Sequence, residues 1–460
     1  MIWLSLTVLI AAIVISCSLL RSQRGDAIGI PLIVIGTFTF LYVVQPLQLI
    51  WSGTYKLFLS DWQMSEALLV PALMLVFFIW GWLRPSTRSP RTAHAPWDRR
   101  RMWKWGFAAA WIGLILYAVF VARSGGFAAA YSETHGKAMA WDKNTAYLYD
   151  GPWLILSGST LMFMGSPIFK KTNWRVAAPY VFLSGFLLQA ILGGGRGALF
   201  GAVATVFAGT SIAQQRKVSF SRAALLLLPV GIAVVLMVGY RGILHLGKDD
   251  TEQVPSIDSA YNETAGVSEY DAEHDTSGQE FLFHAVQLST VDQTGKLDYG
   301  LSWIEFLVIN PIPRLLWPEK SYPPTGGVTL ADIREHTSLA IAPGAACGIV
   351  ADLYARFHLF SALFFFVLGF GLRRLFIAAR NLSSPIAAVG YVMLYAASLN
   401  MFAQGFGACF VPFGYSMIPV FLYSWTAREA RWKAKGNRRE LTLRPLGVMQ
   451  PQEPGVRGNR

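Results

Sequence analysis

The sequence is short of charge: only 14% of its 460 residues are Asp, Glu, Lys or Arg, against roughly 25% in a soluble domain. Water is therefore not its principal solvent. Cysteine is scarce as well. Cys17, Cys347 and Cys409 all fall in apolar segments, an odd number without CxxC spacing. This supports neither a disulfide framework nor a zinc site and leaves them as expected small core residues. The chain also lacks a GxxxxGK(S/T) phosphate loop, an HExxH, a GxSxG and any soluble nucleotide-binding domain, which argues against ATP-driven transport by this chain. No internal repeat or low-complexity tract is present.

What the sequence does contain is 53% hydrophobic and 14% aromatic residues, gathered into apolar stretches of about 20 residues, each long enough as a helix to cross a hydrocarbon core of roughly 30 Å. They lie near 1–20, 28–50, 66–83, 105–122, 153–169, 177–192, 197–213, 222–240, 346–372, 384–402 and 406–426. The first lacks the basic leader and small-residue cleavage site of a signal peptide and is read as a helix. The expected fold is an all-α polytopic membrane protein of about eleven transmembrane helices.

The net charge of +12 acquires meaning from its distribution. Segments 21–27, 84–104, 170–176, 214–222, 373–383 and 427–460 hold 27 of the 39 Lys and Arg, whereas of the 27 acidic residues only Asp26, Asp98, Glu429, Glu440 and Glu453 fall there. By the positive-inside rule these segments are cytoplasmic, the N-terminus is outside and the C-terminus is inside. The basic residues are thus a topology signal in short juxtamembrane segments, and no nucleic acid is expected as a partner.

This divides the chain into helices one to eight at 1–240, a large external loop at 241–345, helices nine to eleven at 346–426 and a basic cytoplasmic tail at 427–460. The external loop far exceeds the roughly 15 residues beyond which a loop is usually functional or disordered. Its stretch 247–279 is polar and acidic. Its stretch 280–317, with Phe281, Phe283, Trp303, Phe306 and Trp317, reads as amphipathic or re-entrant helices against the outer membrane face, and Thr329 to His336 reads as one more short helix. A second external loop, 123–152, mixes Glu133, His135, Trp141 and Asp142 with tyrosines and is either a sugar-gripping surface or a solvated loop with interfacial aromatics.

Ionisable groups at the ends of apolar runs are costly and mark function or topology. Arg196 lies in Leu192-Gly-Gly-Gly-Arg-Gly197 and Arg241 is followed by Gly242. Glycines let a backbone approach a ligand, and a guanidinium presents a planar fork to phosphate. Two such pairs on the expected outer side form a candidate clamp for a lipid diphosphate, the alternative being hairpin arginines that snorkel to the interface. Asn310-Pro-Ile-Pro-Arg-Leu-Leu-Trp-Pro-Glu-Lys320 adds Arg314 and Lys320 in a segment that cannot be a continuous helix. Asp352 and Arg356, at i and i+4 near the start of the ninth helix, are either an internal ion pair or a catalytic carboxylate with its partner. Candidate bases for a hydroxyl are Asp352, Glu133 and His284. No metal site is indicated.

Gly194-Gly-Arg-Gly197, the Pro311 to Lys320 stretch inside a long external loop, and Gly348…Asp352-Leu-Tyr354 together resemble the Wzy-type oligosaccharide repeat-unit polymerases, over most of residues 180–420. The resemblance implies a glycosyltransferase of the GT-C type in the bacterial inner membrane. Such an enzyme transfers a growing glycan from undecaprenyl diphosphate onto a new lipid-linked repeat unit at the outer face, without a cofactor. It also implies lipid-linked oligosaccharides, membrane lipids, a chain-length regulator and a flippase as partners. In this frame Arg196, Arg241, Arg314 and Lys320 hold the diphosphate. The alternatives are an O-antigen ligase, or a non-catalytic flippase or transporter of lipid-linked oligosaccharides.

Overall fold

The computed structural model describes residues 1–22, 26, 28–85, 98–126, 130, 146–168, 173–192, 196–218, 280–309, 312, 317, 327–337, 339 and 346–443. The expected span at 222–240, together with Glu133, Arg241, Arg314 and Lys320, lies outside the described residues. Within them the chain is helical, without a strand. The helices are α1 (Ile2–Ser22), α2 (Ile30–Thr39), α3 (Gln45–Ser52), α4 (Asp61–Leu83), α5 (Arg99–Arg123), α6 (Ala146–Tyr149), α7 (Trp153–Gly165), α8 (Trp174–Leu192) and α9 (Arg196–Ala213). They continue with α10 (Glu280–Thr294), α11 (Leu301–Ile304), α12 (Leu330–Thr337), α13 (Gly348–Phe357), α14 (Ser361–Arg380), α15 (Pro385–Gln404) and α16 (Phe410–Leu443).

Among the described residues, seven helical stretches are long and apolar enough to cross a membrane: Ile2–Arg21, Ile30–Ser52, Asp61–Leu83, Arg99–Arg123, Trp174–Ile191, Gly348–Arg380 and Pro385–Gln404. Trp153–Ile168 and Gly197–Ala213 are shorter apolar helices. Large apolar side chains such as Trp3, Val14, Trp111, Ile115, Val181 and Val367 face outward, as expected where the surrounding solvent is hydrocarbon. The chain is a multi-pass α-helical membrane protein. Cys17 is exposed on α1 and Cys347 half-buried, so of the three cysteines only Cys409 is the buried core residue expected.

Local chemistry sets several helix boundaries. α4 begins five residues before the apolar run at 66 because Ser60 caps it: Gln63 N donates to Ser60 Oγ at 3.3 Å, and Ser60 N donates to Gln63 Oε1 at 2.8 Å. Asp98 accepts from Arg101 N at 3.0 Å and starts α5, while Ser384 followed by Pro385 starts α15. The apolar stretch expected as one helix at 346–372 is two, α13 and α14, separated at His358–Phe360. The break is backbone-determined, with His358 at φ 49° and ψ −137°.

Lipid gives helices no hydrophobic reason to associate, so close backbone approach through small residues is what holds them. α4 and α14 lie side by side in the same direction. Ser361 neighbours Met74, Gly369 faces the Phe78 carbonyl, Gly81 faces the Phe366 carbonyl, and the Trp82 and Phe376 rings sit 5.7 Å apart. α5 and α7 run antiparallel. A Cβ on Gly106 would come 2.5 Å from Gly158 O, and a Cβ on Gly158 would come 2.6 Å from Gly106 O. Against the first half of α4 lies α10, with Phe281, Leu282, Ala285, Val286, Leu288 and Val291 almost wholly buried. Its start is held where Phe281 N donates to Gln45 Oε1 at 2.9 Å, and its middle where Gln63 Nε2 donates to Ser289 Oγ at 2.5 Å. α10 is thus a buried helix of the bundle, within the stretch read from the sequence as amphipathic or re-entrant helices.

At the far end of the bundle Arg380 ties three connections together. Its Nη1 donates to Ser211 O at 3.0 Å and Arg216 O at 3.2 Å, and its Nη2 donates to Ser211 Oγ at 3.0 Å and to the Asp26 carboxylate. The guanidinium thereby satisfies carbonyls that the end of α9 leaves without helical partners.

The glycine contacts make a direct prediction. Gly158→Leu and Gly369→Leu are expected to lower the unfolding temperature in detergent, each costing at least the roughly 1–3 kcal/mol of an overpacked site. Gly371→Leu, whose Cβ would meet open space, is expected to be neutral or stabilising. Equal effects at the three positions would contradict this packing.

Candidate functional site

α13 is ten residues long and carries Asp352, Tyr354 and Arg356, with His358 standing just past its last residue as the helix C-cap. Asp352 and Arg356 are four apart, as are Tyr354 and His358, and the two pairs are offset by two residues. At about 100° per residue, Tyr354 lies on nearly the opposite face of the helix from Asp352 and Arg356. Each pair meets a different set of partners, so this short helix sits between two clusters.

The first cluster is a buried ion triad. Arg356 is 8% exposed and is bracketed by carboxylates: Nη1 donates to Asp298 Oδ2 at 2.5 Å, and Nη2 donates to Asp352 Oδ1. Nη1 also reaches Ser302 Oγ. Asp298 further accepts from Gly300 N at 2.7 Å and from Ser302 Oγ at 2.5 Å, closing the turn into α11. Asp352 Oδ2 accepts from Phe406 N at 2.9 Å. That bond requires the chain to pass close to the carboxylate at Gly405, whose φ is +116° and whose Cβ, if present, would stand 3.2 Å from Asp352 Cγ. The guanidinium also lies 5.6 Å from the Trp303 ring centroid. Trp303 in turn packs on Phe357, Phe364 and Phe406 with centroids 5.1–5.7 Å apart. A charge this deep is tolerated only when paired and hydrogen-bonded.

The second cluster is partly open to solvent. Asp292, near the end of α10, accepts from Tyr354 Oη at 2.8 Å, and its Oδ1 lies 3.0 Å from His358 Nε2. Tyr354 Oη and His358 Nε2 are themselves 2.9 Å apart. Glu66, a half-buried residue of α4, stands near Asp292 and His358. The His358 side chain is 42% accessible and that of Asp292 27%. The accessible imidazole and carboxylate of His358 and Asp292, backed by the buried Tyr354 phenol and with Glu66 nearby, are equipped to bind a neutral hydroxyl and to move its proton.

Of the residues singled out from the sequence, Asp352 and His284 are described in full. Asp352 has one oxygen on Arg356 and the other on a backbone amide, which is the ion-pair reading of that motif. His284 is 1% exposed, with Nε2 3.3 Å from Ala67 O and its ring 4.9 Å from that of Tyr42. Burial pushes its pKa down to about 3, so it is a neutral core histidine, about 12 Å along α10 from Asp292. Arg196 is the first residue of α9, and the glycine after it is packed against the Asn400 amide near the end of α15. Among the described contacts, none joins Asp352 to His284.

Sequence reading missed Glu66, Asp292, Asp298 and His358. A signal existed for two of them: Glu66 opens one expected span and His358 falls inside another, where ionisable residues are costly. Asp292 and Asp298 carry no local signal, since only the docking of α10 brings them to α13. Beyond this centre, Asp332 caps α12 by accepting from Thr329 N at 2.8 Å, and Lys296 Nζ donates to it at 2.5 Å. The lysine, followed by the Thr329 donors, holds the Asp332 carboxyl well below the usual carboxylate range. Among the described residues no three His, Cys, Asp or Glu are grouped so as to hold a metal ion.

Replacing Arg356 with Met leaves Asp352 and Asp298 buried without their cation. The expected loss is about 3–5 kcal/mol, read as a lowered unfolding temperature in detergent, and Asp298→Asn in the same chain is expected to recover part of it. Unchanged stability in Arg356→Met would show that the triad does not hold this end together.

Comparison with protein-family models, with curated proteins and with solved structures finds no match to this chain.

Proposed function

We propose that the chain is a membrane glycosyltransferase that polymerises undecaprenyl-diphosphate-linked oligosaccharide repeat units, transferring the growing glycan onto a new lipid-linked unit at the outer face. The topology in this reading is eleven spans with the N-terminus outside. The same-direction packing of α4 and α14 is in keeping with it, since both are then descending spans. The segments rich in Lys and Arg, among them 84–104 and 373–383, then fall on one side, and the N-terminal end of α4 is the outer end.

The observation that carries the reading is the solvent-accessible pair of Asp292 and His358 at that end, with Glu66 nearby and the buried Tyr354 behind it. Repeat-unit transfer needs a proton acceptor for a sugar hydroxyl and fixed cations for the diphosphate that departs. The Arg196-Gly197 pair begins α9 beside Asn400, and the segment after Asn400 leads through Gly405 to Phe406 N on Asp352. The start of α9 and the α13 clusters therefore share one end of the bundle. In this reading Arg241, Arg314 and Lys320 complete the cationic side. The donor is already activated by its diphosphate, so neither a nucleotide nor a second energy source is required.

Purified protein reconstituted with a lipid-diphosphate-linked repeat unit is expected to yield a ladder of repeat multiples without added nucleotide or metal. Arg196→Ala, Arg241→Ala and Arg314→Ala are each expected to slow its growth roughly 100-fold or more, the scale of one lost electrostatic stabiliser. An unchanged monomer band from well-folded wild-type protein would contradict the polymerase and favour a ligase or a flippase.

A further inference from the structure

We propose that His358 is the general base of this site, acting through Nδ1, with Asp292 as the residue that positions it. The inference rests on the polymerase reading and deepens it by naming the group that takes the acceptor proton.

The hydrogen-bond roles fix the ring. An ionised carboxylate only accepts, so the 3.0 Å contact between His358 Nε2 and Asp292 Oδ1 requires the proton to be on Nε2. The lone pair then lies on Nδ1, on the opposite side of the imidazole. A carboxylate behind one nitrogen sets the tautomer and favours the imidazolium that forms when the other nitrogen takes a proton, the logic shared by base–carboxylate pairs on unrelated folds. The groups facing His358 are Asp292 from α10, Glu66 from α4 and Tyr354 from its own helix. All three can accept a hydrogen bond, and none is a cation that would oppose the imidazolium. Arg356, two residues before His358, is committed to Asp352 and Asp298.

The other possible proton acceptors are less free. Asp352 has both oxygens engaged and His284 is buried. Asp292 Oδ1 is already engaged by Tyr354 Oη and His358 Nε2. His358 is the most accessible side chain of the pair, at 42%.

The backbone supplies an independent argument. His358 holds φ 49° and ψ −137°, a region nearly confined to glycine, at a cost on the order of 1–3 kcal/mol. A helix break alone is met more cheaply by glycine. Histidine stands there with its ring on Asp292 and Tyr354 and its carbonyl accepting from Ser361 Oγ at 2.5 Å. Strain retained in this way is characteristic of positions where side-chain placement is used.

In the step itself the acceptor sugar O–H bond breaks and its proton goes to His358 Nδ1. The freed oxygen lone pair forms the new bond to the anomeric carbon of the donor glycan. The bond from that carbon to the diphosphate oxygen breaks, and its electron pair leaves with undecaprenyl diphosphate. The imidazolium then returns the proton to water.

The test is His358→Gly, which suits the local φ and is expected to unfold no earlier than wild type. In the reconstituted ladder assay its turnover is expected to fall about 100-fold or more, the range of a lost general base, with the donor KM within a few-fold of wild type. Added imidazole is expected to restore at least tenfold. Asp292→Asn is expected to lower turnover by a smaller factor, again with KM little changed. His358→Gly turning over at the wild-type rate overturns the inference and leaves the polymerase standing, as does a loss that imidazole fails to relieve. Failure of folded wild-type protein to build any ladder overturns both.

Discussion

The structure around α13 depends on one buried guanidinium. Arg356 has Asp352 on its own helix, Asp298 on the turn before α11, and through Asp352 the backbone of Phe406 at the start of the α15–α16 connection. Three parts of the chain, separated by about 50 residues or more in sequence, therefore converge on a single cation whose burial makes any unpaired member expensive. Because α13 is fixed on this face, its opposite face is fixed too. That is what holds Tyr354 and His358 against Asp292 and Glu66. In this account the ion triad is structural, and its yield is the geometry of the accessible cluster behind it.

The second constraint is the break at His358. An unbroken helix from 348 to 380 would carry α13 along the same line as α14 and away from α10. The strained backbone lets α14 continue in glycine-to-carbonyl contact with α4 while α13 turns to meet α10. The two clusters thus exist because the apolar stretch is interrupted at His358.

Much of the bundle was legible because hydropathy is a strong signal over twenty residues. The helices at 2–22, 30–52, 174–192 and 385–404 fall where apolar runs predict them. The division of 346–372 was not legible, since both halves are apolar and the break arises from one backbone conformation. The Asp352–Arg356 pair was visible through its spacing of four. Its third member, Asp298, was invisible because a salt bridge between residues 58 apart leaves no periodic trace. Cys17 was misplaced because an apolar segment in a membrane protein has a lipid face as well as a core face. His284 and His358 show the same limit: sequence offered the first as a base and passed over the second, while packing buries the first and leaves the second open.

In the proposed topology the Glu66–Asp292–Tyr354–His358 end of the bundle lies outside the cell and the Arg380–Asp26 end inside. In a variant without Cys17, Cys347 and Cys409, single cysteines at the exposed Lys296 and Lys217 positions mark the two ends, and a membrane-impermeant maleimide applied to intact cells distinguishes them. The account predicts that Lys296→Cys is labelled from outside and that Lys217→Cys is labelled only after lysis; the reverse pattern would put the site on the wrong side for any lipid-linked repeat unit presented at the outer face.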